Sequence, residues 1–287
     1  MRITEKQKET ISSLVVERLR DNHAEYASLA NTFSNKKNPT LEHIITSRTA
    51  FDRDRENTTA YYAVKAPTGE LLLYFSLKCG ELFEDLDVRK MNLAAKTQQA
   101  IAVLTGTDSP QKEDAEKAEA FLEENAEDIK FLLPEIENYI AKKEQYAADI
   151  QQELNKQMRR VLKTYPAVEI VEFCANDNAR EAWRSLGLHR KMGECIFWHH
   201  IVPRLLAIQD IAGCQYVYLF AADSTPDSIL VNYYKVALKF EQLAGLGANK
   251  PRYDFQCTFL CQKMSELAEK QDFFYEHFNT DAEDDLV

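Results

Sequence analysis

The hydrophobic positions of the first third of the chain predict two helices followed by a β-hairpin. The first helix is expected to begin at Thr4, because Gln7, three residues later, completes a capping box. Its apolar positions recur at helical spacing: Ile11, Leu14, Val15 and Leu19. A second helix is expected near Thr40, with apolar positions at Leu41, Ile44 and Ile45. Two apolar runs that meet at the turn residues 67–69 predict the hairpin.

The last two-fifths of the chain alternate between strand and helix patterns. An apolar strand is predicted over 168–177, and a short basic loop with a glycine follows at 190–195. The next elements are an apolar helix, a second strand and a helix that carries two tyrosines: 195–214, 215–223 and 228–242. After a loop at 244–252, the alternation of Phe255, Cys257, Phe259 and Cys261 predicts a half-buried strand.

Strand patterning is lost between Asp87 and Thr164, where Ala, Glu, Lys and Gln dominate. Breaks at 106–110 and at Pro134 divide this interval into three predicted helices. The middle helix is acidic, since nine acids and two lysines between residues 108 and 128 give a net charge of −7. The last helix has apolar positions at Ile136, Ile140, Ile150, Leu154 and Val161.

We therefore predict one α/β domain over 1–287, with a three-helix insertion at 87–164 and a frayed acidic tail at 280–287. A coiled-coil protrusion is the alternative for the insertion, but its apolar positions keep no strict heptad. The insertion offers a surface for a protein partner, and a homodimer is the other open alternative.

Composition narrows the function classes. The net charge of −11 argues against nucleic acid as the main partner, because phosphate binding needs a basic footprint, and it is compatible with a cationic amine. No run of about 18 apolar residues predicts a membrane span. The six cysteines lack C-x-x-C spacing, which favours free thiols in a reduced, cytoplasmic setting. Adjacent His199 and His200 point about 100° apart on a helix, so no metal site is predicted.

The glycine loop at 190–195 is the sharpest candidate for binding an anion. Arg190 and Lys191 carry positive charge, and the N–H groups of Met192, Gly193, Glu194 and Cys195 would point at the same space at a helix start. An exposed basic loop is the structural alternative. A thiol at a helix start can also act as a nucleophile, but no histidine is placed to support Cys195 in that role.

Arg190, Gly193 and Cys195 stand at the defined positions of the pattern Gln or Arg, two residues, Gly, one residue, then Gly or Ala. In its order of strand, loop, helix, strand and helix, the segment 168–242 resembles the acyl-CoA-binding core of the GCN5-related N-acetyltransferases, the GNAT superfamily. Cys195 departs from the usual smaller residue. The resemblance implies a mixed α/β (α+β) sheet flanked by helices, with acetyl-CoA as co-substrate. It also implies acetyl transfer to a small amine or peptide amine by direct attack in a ternary complex.

The resemblance also implies roles for individual residues. A glutamate on the first core strand would be the general base, Glu172 in preference to Glu169, and alternation would place Glu172 on the face of Ile170 and Cys174. Tyr234 or Tyr233 would be the general acid. The remaining coenzyme contacts would come from Phe173, Cys174, Ala175, residues 190–195 and Asn232.

Two features favour a rival function, an acyl-CoA-binding protein without turnover. One is Cys195. The other is the tyrosine motif, normally Tyr, three residues, Gly, Phe. Counted from Tyr234, Phe240 comes one residue late and Lys239 replaces the glycine.

Overall fold

The computed structural model describes residues 1–85, 95–105, 112–125, 161–223, 227–243, 246–249 and 257–280. The helices and strands of the described residues follow in chain order: α1 (Glu5–Ser12), β1 (Val15–Arg18), α2 (His23–Ala30), α3 (Pro39–Thr46), α4 (Thr49–Arg55), β2 (Ala60–Lys65), β3 (Leu71–Asp85), α5 (Ala95–Thr105), α6 (Lys112–Glu124), β4 (Val161–Ala175), α7 (Arg180–Ser185), α8 (Met192–Ile196), α9 (Val202–Ala212), β5 (Tyr216–Ala222), α10 (Ile229–Val236), β6 (Leu246–Ala248), β7 (Cys257–Lys263) and α11 (Leu267–Glu276). A π-helical turn, Phe197–Ile201, joins α8 to α9.

The strands form one seven-stranded mixed sheet in the order β1-β2-β3-β4-β5-β7, and β6 pairs with β3. The pairs β1–β2, β2–β3 and β5–β7 are antiparallel, whereas β4–β5 is parallel. The hairpin between β2 and β3 turns at Gly69, whose φ of +101° favours glycine. The predicted hairpin is confirmed.

Helices cover both faces of the sheet. A larger apolar cluster contains residues of α1 and of the five helices from α7 through α11. These residues pack against sheet residues such as Phe75, Ile170 and Leu219. A smaller cluster joins α2, α3 and α4 with Tyr61 and Tyr74. Burial of both faces supplies the driving force for this packing. The predicted mixed α/β sheet flanked by helices is confirmed.

The chain divides into two compact units. The first comprises 1–81, 165–242 and 248–287, and the second comprises 82–164 and 243–247. The second unit contains α5 and α6, where Ile101, Leu104, Ala118 and Leu122 are buried. The predicted acidic helix corresponds to α6, whose other side chains are mostly exposed. The predicted third helix lies outside the described residues except for its last residues.

Several predicted boundaries are wrong. Residues 161–164, the end of the predicted third helix, belong to β4, and the strand predicted over 168–177 runs over Val161–Ala175. The predicted loop at 244–252 contains β6. The strand at 257–263 is buried around Leu260, Cys261 and Gln262 rather than alternately half-buried, because both faces are covered there.

Two predicted helices end earlier than expected. The first helix begins at its Thr4–Gln7 capping box as predicted but ends at Ser12, because Val15–Arg18 pairs with β2 as a strand. The tyrosine-bearing helix ends at Val236 rather than Gln242, and Lys239 then takes a left-handed φ of +58°. In this conformation Lys239 occupies the backbone state that a glycine would favour. Among the described residues, no helix has the length and hydropathy needed to cross a membrane.

Candidate active site

The parallel strands β4 and β5 part in the middle of the sheet. Their register pairs are Ala167–Tyr216, Val168–Val217 and Glu169–Tyr218. β4 continues to Ala175, while β5 continues to pair with β7 as far as Ala222. The carboxyl halves of two described neighbouring strands therefore diverge after Glu169 and Tyr218. Open α/β sheets bind ligands at the carboxyl ends of such strands.

The glycine of the predicted loop lies in the first turn of a helix. Residues 192–196 form α8, and Cys195 N–H donates to Lys191 O at 3.1 Å, so the prediction of a loop through Cys195 is wrong. A Cβ placed on Gly193 would lie 2.7 Å from Tyr233 Oη and 3.2 Å from Phe173 Cζ. The absence of a side chain at Gly193 therefore allows β4, α8 and α10 to approach one another, and it brings together three of the predicted site residues.

Arg190 has a role that the sequence did not predict. Its guanidinium donates to the carbonyl oxygens of Phe278 at 2.8 Å, of Thr280 at 3.3 Å and of His277, just beyond the end of α11. It also lies 3.6 Å from Glu194 Oε1. Carbonyl oxygens left over at a helix end attract a cation in this way. The side chain predicted to neutralise a phosphate is thus engaged with the chain's own carboxyl-terminal helix.

Two polar side chains of α8, the carboxyl group of Glu194 and the thiol of Cys195, are buried. Burial raises the pKa of Glu194, and Arg190, Lys191 and Lys239 oppose that rise. Burial also raises the pKa of the Cys195 thiol far above its usual value, and the negative charge of Glu194 adds to the effect. A neutral, buried thiol is a poor nucleophile, so the alternative role for Cys195 is disfavoured. Met192 is buried in the larger cluster.

Glu172 is 4% exposed and has several donors around its carboxylate. Tyr61 Oη donates to Oε1 at 3.1 Å, and Ser76 Oγ donates to Oε2. Arg53 Nη1 lies 3.5 Å from Oε1. Burial raises the pKa of Glu172, and these three neighbours oppose the rise. The result is a desolvated carboxylate held in one orientation.

Glu169 is the second buried carboxylate of β4, and it lies where the strands part. Tyr218 Oη donates to its Oε2 at 3.3 Å. Burial raises the pKa of Glu169, against the effects of Lys78 and of the Tyr218 hydroxyl. A Cβ on Gly80 would lie 2.3 Å from Tyr218 Oη, so this tyrosine needs glycine at that position of β3. Neither Tyr218 nor Gly80 was predicted from the sequence as a site residue.

The predicted face of Glu172 is correct for Cys174 and wrong for Ile170. Ile170 packs in the larger cluster, and Phe173 packs against it, whereas Cys174 belongs to the smaller cluster on the other face. The side chains of β4 therefore do not alternate regularly between residues 170 and 174. Glu172 shares the face of Cys174 and Tyr61 but not that of Ile170. Regular alternation holds only for an undistorted strand.

The two tyrosines of α10 have different surroundings. Tyr234 is buried, and burial raises its pKa, with Cys174 and Asp223 adding to the rise. Tyr233 is half-buried with its hydroxyl beside Gly193, and burial, followed by the charge of Glu194, raises its pKa. Both phenols are therefore protonated at neutral pH, as a general acid must be.

The start of α10 is fixed by two side chains. Asp223 Oδ2 accepts from Leu230 N–H at 2.7 Å and from Val231 N–H at 3.0 Å. Asn232 is exposed, and its Nδ2 donates to Asp227 O at 3.2 Å. This bond gives Asn232 a local role in the first turn. Its predicted coenzyme contact stays a prediction, as do those of Phe173, Cys174 and Ala175.

The two adjacent histidines hold α1 against the π-helical turn. His199 Nε2 lies 2.8 Å from Ser12 Oγ, and His199 Nδ1 lies 2.8 Å from Tyr275 Oη. His200 Nε2 donates to Ile11 O at 2.9 Å. In the part of the chain that is described, no group of three His, Cys, Asp or Glu side chains could hold a metal ion.

No protein-family model and no curated protein matches this chain. The solved structures that resemble it include a bacterial toxin, with a TM-score of 0.48 and 10% identity over 90% of this chain and 95% of that chain. A tyrosine-to-phenylalanine mutant of the AtaT toxin has a TM-score of 0.47 and 12% identity over 90% of this chain and 93% of that one. AtaTR bound with acetyl-CoA has a TM-score of 0.46 and 13% identity over 90% and 98%. Likenesses at this level leave the function to be argued from this chain's own residues.

Proposed function

We propose that this protein is an acyl-CoA-dependent N-acyltransferase that uses acetyl-CoA and an amine acceptor. The observation that carries the proposal is the parting of β4 and β5 after Glu169 and Tyr218, next to the glycine-bearing start of α8. An extended ligand can add to the inner edge of β4, and an anion can bind the helix start. A thioester attached to a pyrophosphate combines both features.

The buried groups suit the chemistry of acyl transfer. The amine has to lose a proton as its nitrogen attacks the thioester carbon, and a desolvated carboxylate with a raised pKa can take it. We assign this role to Glu172, with Glu169 as the second candidate. The C–S bond breaks as the C–N bond forms, and the leaving thiolate takes a proton from Tyr234 or, failing that, from Tyr233. Both tyrosines hold their protons at neutral pH because burial raises each pKa.

The pyrophosphate contacts need a revised assignment. Because Arg190 is engaged with the carbonyls after α11, we assign anion binding mainly to the backbone N–H groups of Met192, Gly193 and Glu194 and to the Lys191 side chain. The acceptor we propose is a small amine or a peptide amine. The net charge of −11 favours a cationic acceptor over a nucleic acid.

The rival function, coenzyme binding without turnover, has its own support. Glu172 already accepts from two hydroxyls and lies beside a guanidinium, and such donors stabilise its charged form and weaken it as a base. A protein that keeps only the coenzyme site would tolerate this arrangement.

Two measurements on the full chain test the proposal. At 100 times its dissociation constant, acetyl-CoA should stabilise the fold by about 2.7 kcal/mol, seen as a rise in melting temperature. Release of free CoA thiol in the presence of a panel of amines then separates turnover from binding. If acetyl-CoA at millimolar concentration leaves the melting temperature unchanged, the proposal is wrong. If it binds but no amine releases thiol, the binding function is the correct one.

A further inference from the structure

One aromatic side chain is unusually exposed in the first unit. Phe273 on α11 is 50% exposed, and it is the one aromatic residue among the large hydrophobic side chains that are exposed in the described chain. A single exposed apolar residue is common on protein surfaces, so exposure alone points to no ligand. Whether Phe273 could bind a ligand therefore depends on the residues around it.

Phe273 belongs to an ordered aromatic pair. Its ring stacks on that of His277, one turn later, with centroids 4.0 Å apart and planes at 26°. His277 Nδ1 lies 2.9 Å from Phe273 O, which fixes the imidazole in this orientation. The pair is exposed to solvent and preorganised, so little conformational entropy would be lost when a further ring stacks on it.

One cationic group lies near the Phe273 ring, and a second binds the backbone of His277. Lys239 Nζ lies 5.8 Å from the centroid of the Phe273 ring. The left-handed backbone at Lys239 carries the chain from the end of α10 to this position. The backbone carbonyl of His277 accepts a hydrogen bond from Arg190, three residues before Gly193. The aromatic pair is therefore linked by direct contacts to the start of α8.

We propose that Phe273 and His277 form a stacking platform for the adenine ring of acyl-CoA, with Lys239 binding an adjacent phosphate. The inference rests on the proposed function, because it names where the nucleotide end of that co-substrate binds. A purine presents a flat π-face to an aromatic ring, and its phosphates supply negative charge for a nearby ammonium group. The thioester end would then lie between β4 and β5, and the pyrophosphate at the start of α8.

The test is direct binding by titration calorimetry with three ligands: acetyl-CoA, adenosine 3′,5′-bisphosphate and S-acetyl-pantetheine, which lacks the nucleotide. In Phe273→Ala, the first two should bind about 5- to 150-fold more weakly, the range expected for loss of one base–aromatic stack. S-acetyl-pantetheine should bind as it does to the wild type. Phe273→Tyr should restore binding, and Val236→Ala, which trims another exposed side chain, should have no effect.

The phosphate contact has its own matched pair of variants. Lys239→Ala should weaken both nucleotide ligands, and the difference from wild type should shrink as salt is added. Lys235→Ala removes the same charge from α10, where the ammonium group is bonded to Gln242, and should bind like the wild type.

The outcomes separate the inference from the proposed function. If acetyl-CoA binds equally well to the wild type and Phe273→Ala, the platform is wrong and the acyl-CoA proposal stands. If adenosine 3′,5′-bisphosphate binds in a Phe273-dependent way but acetyl-CoA binds no better than it, the platform stands and the thioester site is wrong. If the wild type binds neither ligand, both are wrong.

Discussion

Protonation of His200 should destabilise the fold at mildly acidic pH. His200 lies in the π-helical turn and donates from Nε2 to the carbonyl of Ile11, at the end of α1. Burial lowers its pKa to about 4 from a usual 6.5, and the positive charge of Arg204 and the neighbouring His199 add to this effect. Between these two pH values, the unfolded chain binds a proton at this position and the folded chain does not.

The sign and size of the effect follow from that difference. Stability rises with pH wherever the unfolded state binds more protons, so it falls as the pH drops from 6.5 toward 4. The slope for one proton is about 1.4 kcal/mol per pH unit. Between pH 6.5 and the folded-state pKa of about 4, the free energy of unfolding should therefore fall by about 3 kcal/mol in all.

Urea unfolding of His200→Gln and the wild type at several pH values between 7.5 and 4 measures this contribution. Glutamine keeps a donor for the Ile11 carbonyl but cannot take up a proton. As the pH falls toward 4, the free energy of unfolding of the wild type should therefore drop by about 3 kcal/mol relative to that of His200→Gln. Buried Glu169 and Glu172 have raised pKa values and act in the opposite direction, but they contribute equally to both proteins. His43→Gln, on an exposed position of α3, is the control. Parallel curves for His200→Gln and the wild type would refute the argument.

Three further predictions test the candidate site. Gly193→Val should abolish the acetyl-CoA thermal shift and cost about 1–3 kcal/mol of stability, because the new side chain overlaps Tyr233 Oη; a retained shift would place the site elsewhere. Glu172→Gln should lower turnover by about 10²–10⁴-fold while acetyl-CoA affinity stays nearly constant, and an unchanged rate with a working acceptor would contradict the assignment. Arg190→Ala should lower the free energy of unfolding by about 1.5–3 kcal/mol and speed amide exchange at the end of α11. Exposed Arg184→Ala is its control, and equal effects of the two would exclude the role given to Arg190.

Local patterns predicted most of the elements that build the site. The capping box at Thr4 and Gln7, the turn at Gly69 and the strand at 216–222 depend on neighbouring residues, and each forms as predicted. The strand at Val15–Arg18 was missed because its partner residues 62–65 lie far along the chain. Pairing with another strand overrides a short helical repeat.

The contacts that define the chemistry were beyond sequence analysis for the same reason. Tyr61 and Ser76 lie 111 and 96 residues from Glu172, and both reach it through the packing of neighbouring strands. No spacing rule predicts such pairs. The sequence predicted that Glu172 shares a face with Cys174, but it also placed Ile170 there, because the irregularity of β4 between 170 and 174 has no local signal in the sequence.

Two residues of the pattern at 190–195, Arg190 and Gly193, have different physical roles in this chain. Gly193 is required by contact geometry, since Tyr233 and Phe173 occupy the space of a side chain. Arg190 is bonded to carbonyl oxygens beyond α11, so it couples the start of α8 to the end of α11. A ligand that recruited this guanidinium would have to break those bonds.

The two buried carboxylates of β4 differ in how many donors surround them. A general base works best when few donors stabilise its charge, because each donor lowers its pKa. Glu172 accepts from two hydroxyls and lies beside a guanidinium, whereas Glu169 has one long bond of 3.3 Å from Tyr218 at the point where β4 and β5 part. As the general base, Glu172 is favoured because its donors hold the carboxylate in one orientation. Glu169 is favoured because fewer donors lower its pKa and because it lies where the strands part. If acyl transfer occurs, comparing Glu169→Gln with Glu172→Gln distinguishes them, since the residue that takes the proton should lower kcat and remove the acidic limb of the pH–rate profile.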